Sequence, residues 1–166
     1  MRQGHPHYQH GFTLVEALVV MTLLAGFLMI LTTLLTSAID IQGSSESYSA
    51  VMTDGRFMMA SLNYDIARAS TVTIPSSLGG SSASLALTIN GNTYTYGLSG
   101  SNLQLADPTG TDNLNSSGTT VSGLSFQTLG NSSGKATVRY SFTLTSTAHH
   151  SGISDVQTYT STAGLR

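Results

Sequence analysis

Apolar positions crowd one end of the chain and then change period twice. From Ala17 to Ile39 there are 23 residues without a charge, dominated by Leu, Val, Ile, Met and Phe, with Gly26 the one strong helix breaker. At 1.5 Å per residue that helix is about 35 Å long, enough to cross a bilayer with some tilt. The segment predicts a membrane-spanning helix. Two other readings compete. A cleaved secretory signal is one, with Thr36-Ser37-Ala38 as its small-residue cut, but its apolar core is about 7–15 residues behind a basic stretch. A buried core helix is the other, and the remainder of the chain is too polar to wrap it. Arg2 precedes the span while Asp40 and Glu46 follow it, which places the N-terminus in the cytoplasm and the C-terminal bulk outside.

Between about Asp40 and Ser70 the apolar content falls but keeps helical spacing. Tyr48, Met52, Gly55, Met59, Leu62, Ile66 and Ala69 form one stripe, widened by Val51 and Met58. Asp65 and Arg68 make an i, i+3 pair expected on the opposite side. Gly43-Ser44-Ser45 is a point where the helix is expected to loosen. Ile74-Pro75-Ser76-Ser77 and Gly79-Gly80-Ser81-Ser82 then read as a loop.

Beyond it the period becomes two. Leu85, Leu87 and Ile89 alternate with Ala86 and Thr88, and Asn90-Gly91 leads into Thr93 to Tyr96. A two-residue Asn-Gly turn predicts a hairpin that pairs Ile89 with Asn92, Leu87 with Tyr94 and Leu85 with Tyr96. Val121 to Thr128, Ala136 to Leu144 and a weaker run around Val156 to Thr160 read as further strands, with Asn131-Ser132-Ser133-Gly134 as a connecting loop. Five or six antiparallel strands with one apolar face suit packing under the amphipathic helix. The expected fold class is α+β, a long N-terminal helix on a small antiparallel sheet. Its expected parts are a leader (1–11), the spanning helix (12–39), its amphipathic continuation (40–70), a loop (71–84) and a sheet domain (85–166).

Composition narrows the chemistry. Charged residues make up 8% of the 166 residues, against roughly 25% in an average soluble protein. Ser and Thr number 48, and six Lys plus Arg leave a net charge of −2. So few cations cannot build a basic stripe, so direct nucleic-acid binding is not expected. Cys is absent, which removes disulfides, zinc-thiolate sites and thiol nucleophiles. No Gly-x-Ser-x-Gly elbow and no Ser, His and acid constellation emerge, so no catalytic residue and no cofactor is expected. His149-His150 with Asp155 lacks a third metal ligand. Asp107-Pro108-Thr109-Gly110-Thr111-Asp112-Asn113 has the oxygens of a calcium loop but neither its spacing nor a closing Glu, and reads as a turn-rich surface loop. No metal site is expected. Asn115-Ser116-Ser117 and Asn131-Ser132-Ser133 fit a glycosylation acceptor pattern, which arises by chance in so Ser-rich a chain.

One residue breaks the apolar pattern. Glu16 lies four residues after Phe12, and a carboxylate at bilayer depth costs about 2.5–3.5 kcal/mol on insertion scales. It also sits where a helix dipole favours an anion, on the face it shares with Phe12. Gly11-Phe12-Thr13-Leu14-Val15-Glu16 joins a short leader, a Gly, a Phe, a Glu at fixed spacing and a spanning helix. This resembles the type IV pilin-like family. The resemblance implies that a membrane-embedded prepilin peptidase cuts between Gly11 and Phe12 and methylates the new Phe12 amine. It also implies that Glu16 neutralises the terminal amine of a neighbouring subunit and fixes the axial register of packed helices. The leader departs from the family's Lys/Arg-rich pattern, with His5, His7 and His10 beside Arg2.

The order of the later pieces, from Gly55-Arg56 and Asp65-Ile66-Ala67-Arg68 through Tyr94-Thr95-Tyr96 to the long strand, is similar to minor pilins of the W type and minor pseudopilins of the J type in type II secretion. The resemblance implies a non-enzymatic subunit of a type IV pilus-like or secretion filament, at or near its tip. Its implied partners are the prepilin peptidase, other pilin or pseudopilin subunits and the inner-membrane assembly platform. It implies a bacterial cytoplasmic-membrane protein that passes into an extracytoplasmic filament. A single-pass anchored protein with an external ligand-binding or adhesive β domain is the alternative, and a β protein released after Ala38 a third.

Overall fold

The computed structural model describes residues 13–130, 134–148 and 154–166. One helix, α1 (Leu14–Arg68), is followed by nine strands among the described residues. They are β1 (Thr71–Ile74), β2 (Ser81–Ser82), β3 (Leu85–Ile89), β4 (Asn92–Ser99), β5 (Asn102–Asp107), β6 (Gly110–Asn113), β7 (Thr119–Leu129), β8 (Thr137–Ser146) and β9 (Val156–Gly164). The chain divides into two units, Met1–Ile41 and Gln42–Arg166.

The first unit is helix alone in its described part. Its apolar side chains are exposed, Leu14 to 79%, Met21 to 71% and Met29 to 75%, and its best window has a mean hydropathy of 2.5 with none of it buried. Its hydroxyls bond back to the helix. Thr22 Oγ1 donates to the Val19 carbonyl (2.8 Å), Thr32 to Leu28 (2.8 Å) and Thr33 to Met29 (2.9 Å). A helix surrounded by hydrocarbon has no water to satisfy such groups, so internal bonding is what that environment requires.

The second unit packs Gln42–Arg68 of α1 against two antiparallel sheets, ordered β1-β3-β4-β5-β6 and β2-β7-β8-β9. The α+β class and the long N-terminal helix are as expected; the single small sheet of five or six strands is corrected to two sheets. The expected loop at 71–84 carries β1, which pairs with β3, and β2, which pairs with β7. The reading missed them because Thr71–Ile74 is short and mostly exposed and Ser81–Ser82 has no apolar residue at all. β5 and β6 were missed as well. Leu103 and Leu105 do alternate in β5, but every residue of β6 is exposed, so its strand is made by pairing and not by burial.

The Asn-Gly hairpin forms in the expected register, Leu85↔Tyr96, Leu87↔Tyr94 and Ile89↔Asn92. Asn90 and Gly91 both take positive φ (52° and 81°), the primed turn that matches strand twist. β7 and β8 pair as expected; Asn131 to Ser133 of their connection lie outside the described residues.

The core joins Val51, Met58, Leu62 and Ile66 of the helix to Leu85, Leu87, Tyr96, Phe126, Tyr140 and Phe142 of the sheets, among others. Its helix face is rotated from the expected stripe. Gly55, Leu62, Ile66 and Ala69 are buried as expected, but Val51 and Met58 replace Met52 and Met59 at the centre, and Tyr48 is 55% exposed. Tyr159 of β9 explains the rotation. Its ring lies over Gly55 and stacks on Phe142 at 5.3 Å, and its hydroxyl donates to the Val51 carbonyl (3.1 Å). Gly43-Ser44-Ser45 does not interrupt α1.

Candidate processing and assembly site

Leu14 opens α1, and Thr13 caps it. The Glu16 backbone N–H donates to Thr13 Oγ1 (3.3 Å), and Ala17 N–H donates to the Thr13 carbonyl (3.1 Å). A capping hydroxyl satisfies one of the amide donors that the first helical turn leaves open. Thr13 is not among the expected site residues. Its signal was present in Thr13-Leu14-Val15-Glu16, the Ser/Thr-x-x-Glu spacing of a capping box.

Glu16 stands in the first turn and is exposed. Among the described residues its carboxylate has no hydrogen-bond or ion-pair partner. Of the expected site, then, the structure describes Glu16 alone. Gly11 and Phe12 lie outside the described residues, and with them the shared face of Phe12 and Glu16. The arrangement offers a carboxylate at the positive end of a helix dipole, on an apolar helix whose described residues supply no cation to it. What it can do is accept a cation from elsewhere.

Other polar clusters belong to the second unit and are bonded within it. Asp65 is corrected from the outer side to a buried position, 4% exposed. Its carboxylate accepts a hydrogen bond from the Tyr96 hydroxyl and ion-pairs with Arg68 at 2.8 Å. The Arg68 guanidinium lies over the Tyr64 ring at 4.6 Å and the Tyr94 ring at 5.2 Å. Burial, and then the bond to Asp65, push the Tyr96 hydroxyl far above its ordinary pKa. Asp54 accepts from the Ser116 amide (2.9 Å), the Ser116 hydroxyl (2.8 Å) and the Thr119 hydroxyl, fastening α1 to the turn before β7.

The candidates for metal and sugar are placed as follows. The Asp107 carboxylate is taken up by the Thr109 hydroxyl and amide and by the Gly110 amide, which hold it below its ordinary pKa. Among the described residues no cluster of three or more His, Asp or Glu could hold a metal ion. His149 and His150 lie outside them. Asn115 is buried: its side-chain oxygen accepts from Leu103 N–H (2.9 Å) and its amide donates to the Thr119 carbonyl (2.8 Å). That side chain is a structural bracket and not a glycan acceptor. Asn131 lies outside the described residues.

Residues 6–39 match the family described as the prokaryotic N-terminal methylation motif. That interval contains Gly11, Phe12 and Glu16 together with the exposed apolar helix, and it supports a type IV pilin-like precursor that is cut by a prepilin peptidase and anchored in a membrane. No curated protein and no solved structure matches the chain.

Proposed function

We propose that the chain is a minor pilin or pseudopilin, similar to the W-type minor pilins and the J-type minor pseudopilins. It is made as a prepilin with its N-terminus in the cytoplasm, cut between Gly11 and Phe12, methylated on Phe12, and drawn by the assembly platform into a filament at or near its tip. Its work is structural. The observation that carries this reading is an exposed carboxylate without a partner among the described residues, five residues after the Gly of the matched motif, at the head of an apolar helix. Pairing Glu16 with the Phe12 amine of a neighbour offsets the desolvation of both charges. It also sets the axial register, which apolar surface alone leaves free to slide.

Co-expression with a prepilin peptidase and mass spectrometry of the mature N-terminus test it. N-methyl-Phe12 is the expected result. An intact Met1 favours a permanently anchored protein with an external β domain, and a chain beginning at Ile39 favours a released one.

A further inference from the structure

Two sheets have four edges, and three of them are guarded. β1 is four residues with a bulge between Val72 and Ile74, and Pro75 follows it. β2 is two residues long, and β6 is four residues with Asp112 among them. Short strands, bulges, prolines and charges are the means by which edges avoid pairing with other chains. β9 has none of them. It is nine residues long, holds no charge and no Pro, and pairs with β8 without a register shift.

The open row of β9 follows from its register. Leu165 N–H donates to the Ala136 carbonyl, and Ser146 N–H donates to the Asp155 carbonyl. Antiparallel pairs alternate, so the odd-numbered residues of β9 direct their backbone groups to β8. Val156, Thr158, Thr160, Thr162 and Gly164 direct N–H and C=O away from the sheet. All five are exposed, and among the described residues their backbone groups have no partner on that side. Four of the five are β-branched, the residue type suited to an extended conformation.

We propose that this edge is a docking site for an extended, uncharged segment of a different polypeptide, which adds a strand beside β9. A second copy of the chain fits less well. The Tyr159 hydroxyl meets the Val51 carbonyl, and Arg166 N–H meets the Ala67 carbonyl. Sixteen helical residues rise about 24 Å and seven strand residues about 23 Å, so β9 runs beside this part of α1 in the same direction. Antiparallel pairing of β9 with its own copy would point the two helical stretches in opposite directions, which subunits of one filament do not permit. The choice of an unlike chain rests on the filament reading; the open edge does not.

Residue-resolved hydrogen exchange tests the site on the full chain, purified alone in detergent micelles and in filaments sheared from cells that make the neighbouring subunits. In the chain alone, the amides of Thr158, Thr160 and Thr162 exchange freely while those of Tyr159 and Ser161 are protected. In filaments the even-numbered amides slow about tenfold or more. Thr160→Pro deletes only an outward N–H, a position where an edge strand tolerates proline, so the isolated variant melts as the parent does but its incorporation falls about tenfold. Free exchange of the even amides in filaments overturns the proposal. So does their protection in a dimer of the chain alone, which assigns the edge to a second copy. If the processed parent chain is absent from filaments, the filament reading falls, and the exchange is read on membranes of the same cells. Slowed even amides there sustain docking of an unlike chain, and free exchange overturns it.

Discussion

Glu16 and Gly55 show how single positions carry opposite duties. Glu16 matters because no described residue pairs with its carboxylate. On the proposed reading, Glu16→Ala leaves peptidase cleavage intact, because the Gly-Phe junction is unchanged, but the processed chain fails to enter filaments. Immunoblots of sheared filaments against membrane fractions read this directly, and normal incorporation would sink the role assigned to the carboxylate. Gly55 matters for what it lacks. A Cβ there would stand 2.2 Å from the Tyr159 ring. Replacing Gly by Ala in a helix gains about 1 kcal/mol of propensity, whereas overpacking costs about 1–3 kcal/mol. Tyr159 is held by Phe142 and by the Val51 carbonyl, so it cannot swing aside at little cost. Gly55→Ala therefore lowers the melting temperature of the sheet-bearing unit, measured by circular dichroism of the strand signal in detergent. The motif around Glu16 was legible because its signal is local: an acid where apolar residues belong. The Thr13 cap, equally local, was overlooked beside it. Asp65 was misplaced for another reason. A carboxylate spaced three residues before an Arg reads as a solvated pair, and it is Tyr96, 31 residues away and on a strand, that joins Arg68 in making a buried position tolerable for it.

At the scale of elements, alternation told the truth wherever one face of a strand is buried and the other is not. β8 is readable for that reason, and the β3–β4 hairpin is readable down to its residue pairs from its Asn-Gly turn and its spaced Leu and Tyr. Strands without a buried face, such as β6, left no trace, because their pairing is written in backbone groups that every sequence shares. The hairpin's turn is written in side chains. Gly91 at φ 81° adopts a conformation that costs other residues about 1–2 kcal/mol, and a β-branched side chain suffers most there. Gly91→Val is expected to destabilise the second unit by at least that amount, read from a denaturant melt of tyrosine fluorescence. An unchanged midpoint would mean that the Asn-Gly turn does not set the register of β3 and β4.

At the scale of the whole molecule, the two units answer to different solvents, and their stabilities respond to different variables. The second unit buries Tyr96 and Tyr140 and half-buries Tyr159. Burial raises the pKa of Tyr96, Tyr140 and Tyr159 above the ordinary 10.0. The folded state therefore favours the neutral phenol. The stability this contributes is fully present below pH 10 and is lost as pH climbs beyond the unfolded value towards the folded ones. The melting temperature is expected to hold steady from pH 7 to about 9.5 and to fall steeply above 10. Tyr96→Phe lowers the stability on that plateau by about 1–3 kcal/mol, because Asp65 loses a buried donor, and makes the alkaline fall shallower. An alkaline limb of equal slope in that variant would show that Tyr96 titrates no differently folded than unfolded.

Two tyrosines of the sheets fasten the helix, one through a backbone carbonyl and one through a side chain. Tyr159 reaches the oxygen of Val51, whereas Tyr140 donates to the Asn63 side-chain oxygen at 2.9 Å, with the Met59 carbonyl farther off at 3.4 Å. A backbone oxygen is present whatever side chain follows it. Lineages of this protein are thus free to recast Val51 into another residue of similar bulk while the Tyr159 latch survives, whereas the Tyr140 latch also needs Asn63. The Tyr159 phenol has no such latitude: drift there removes the bond in every version of the helix.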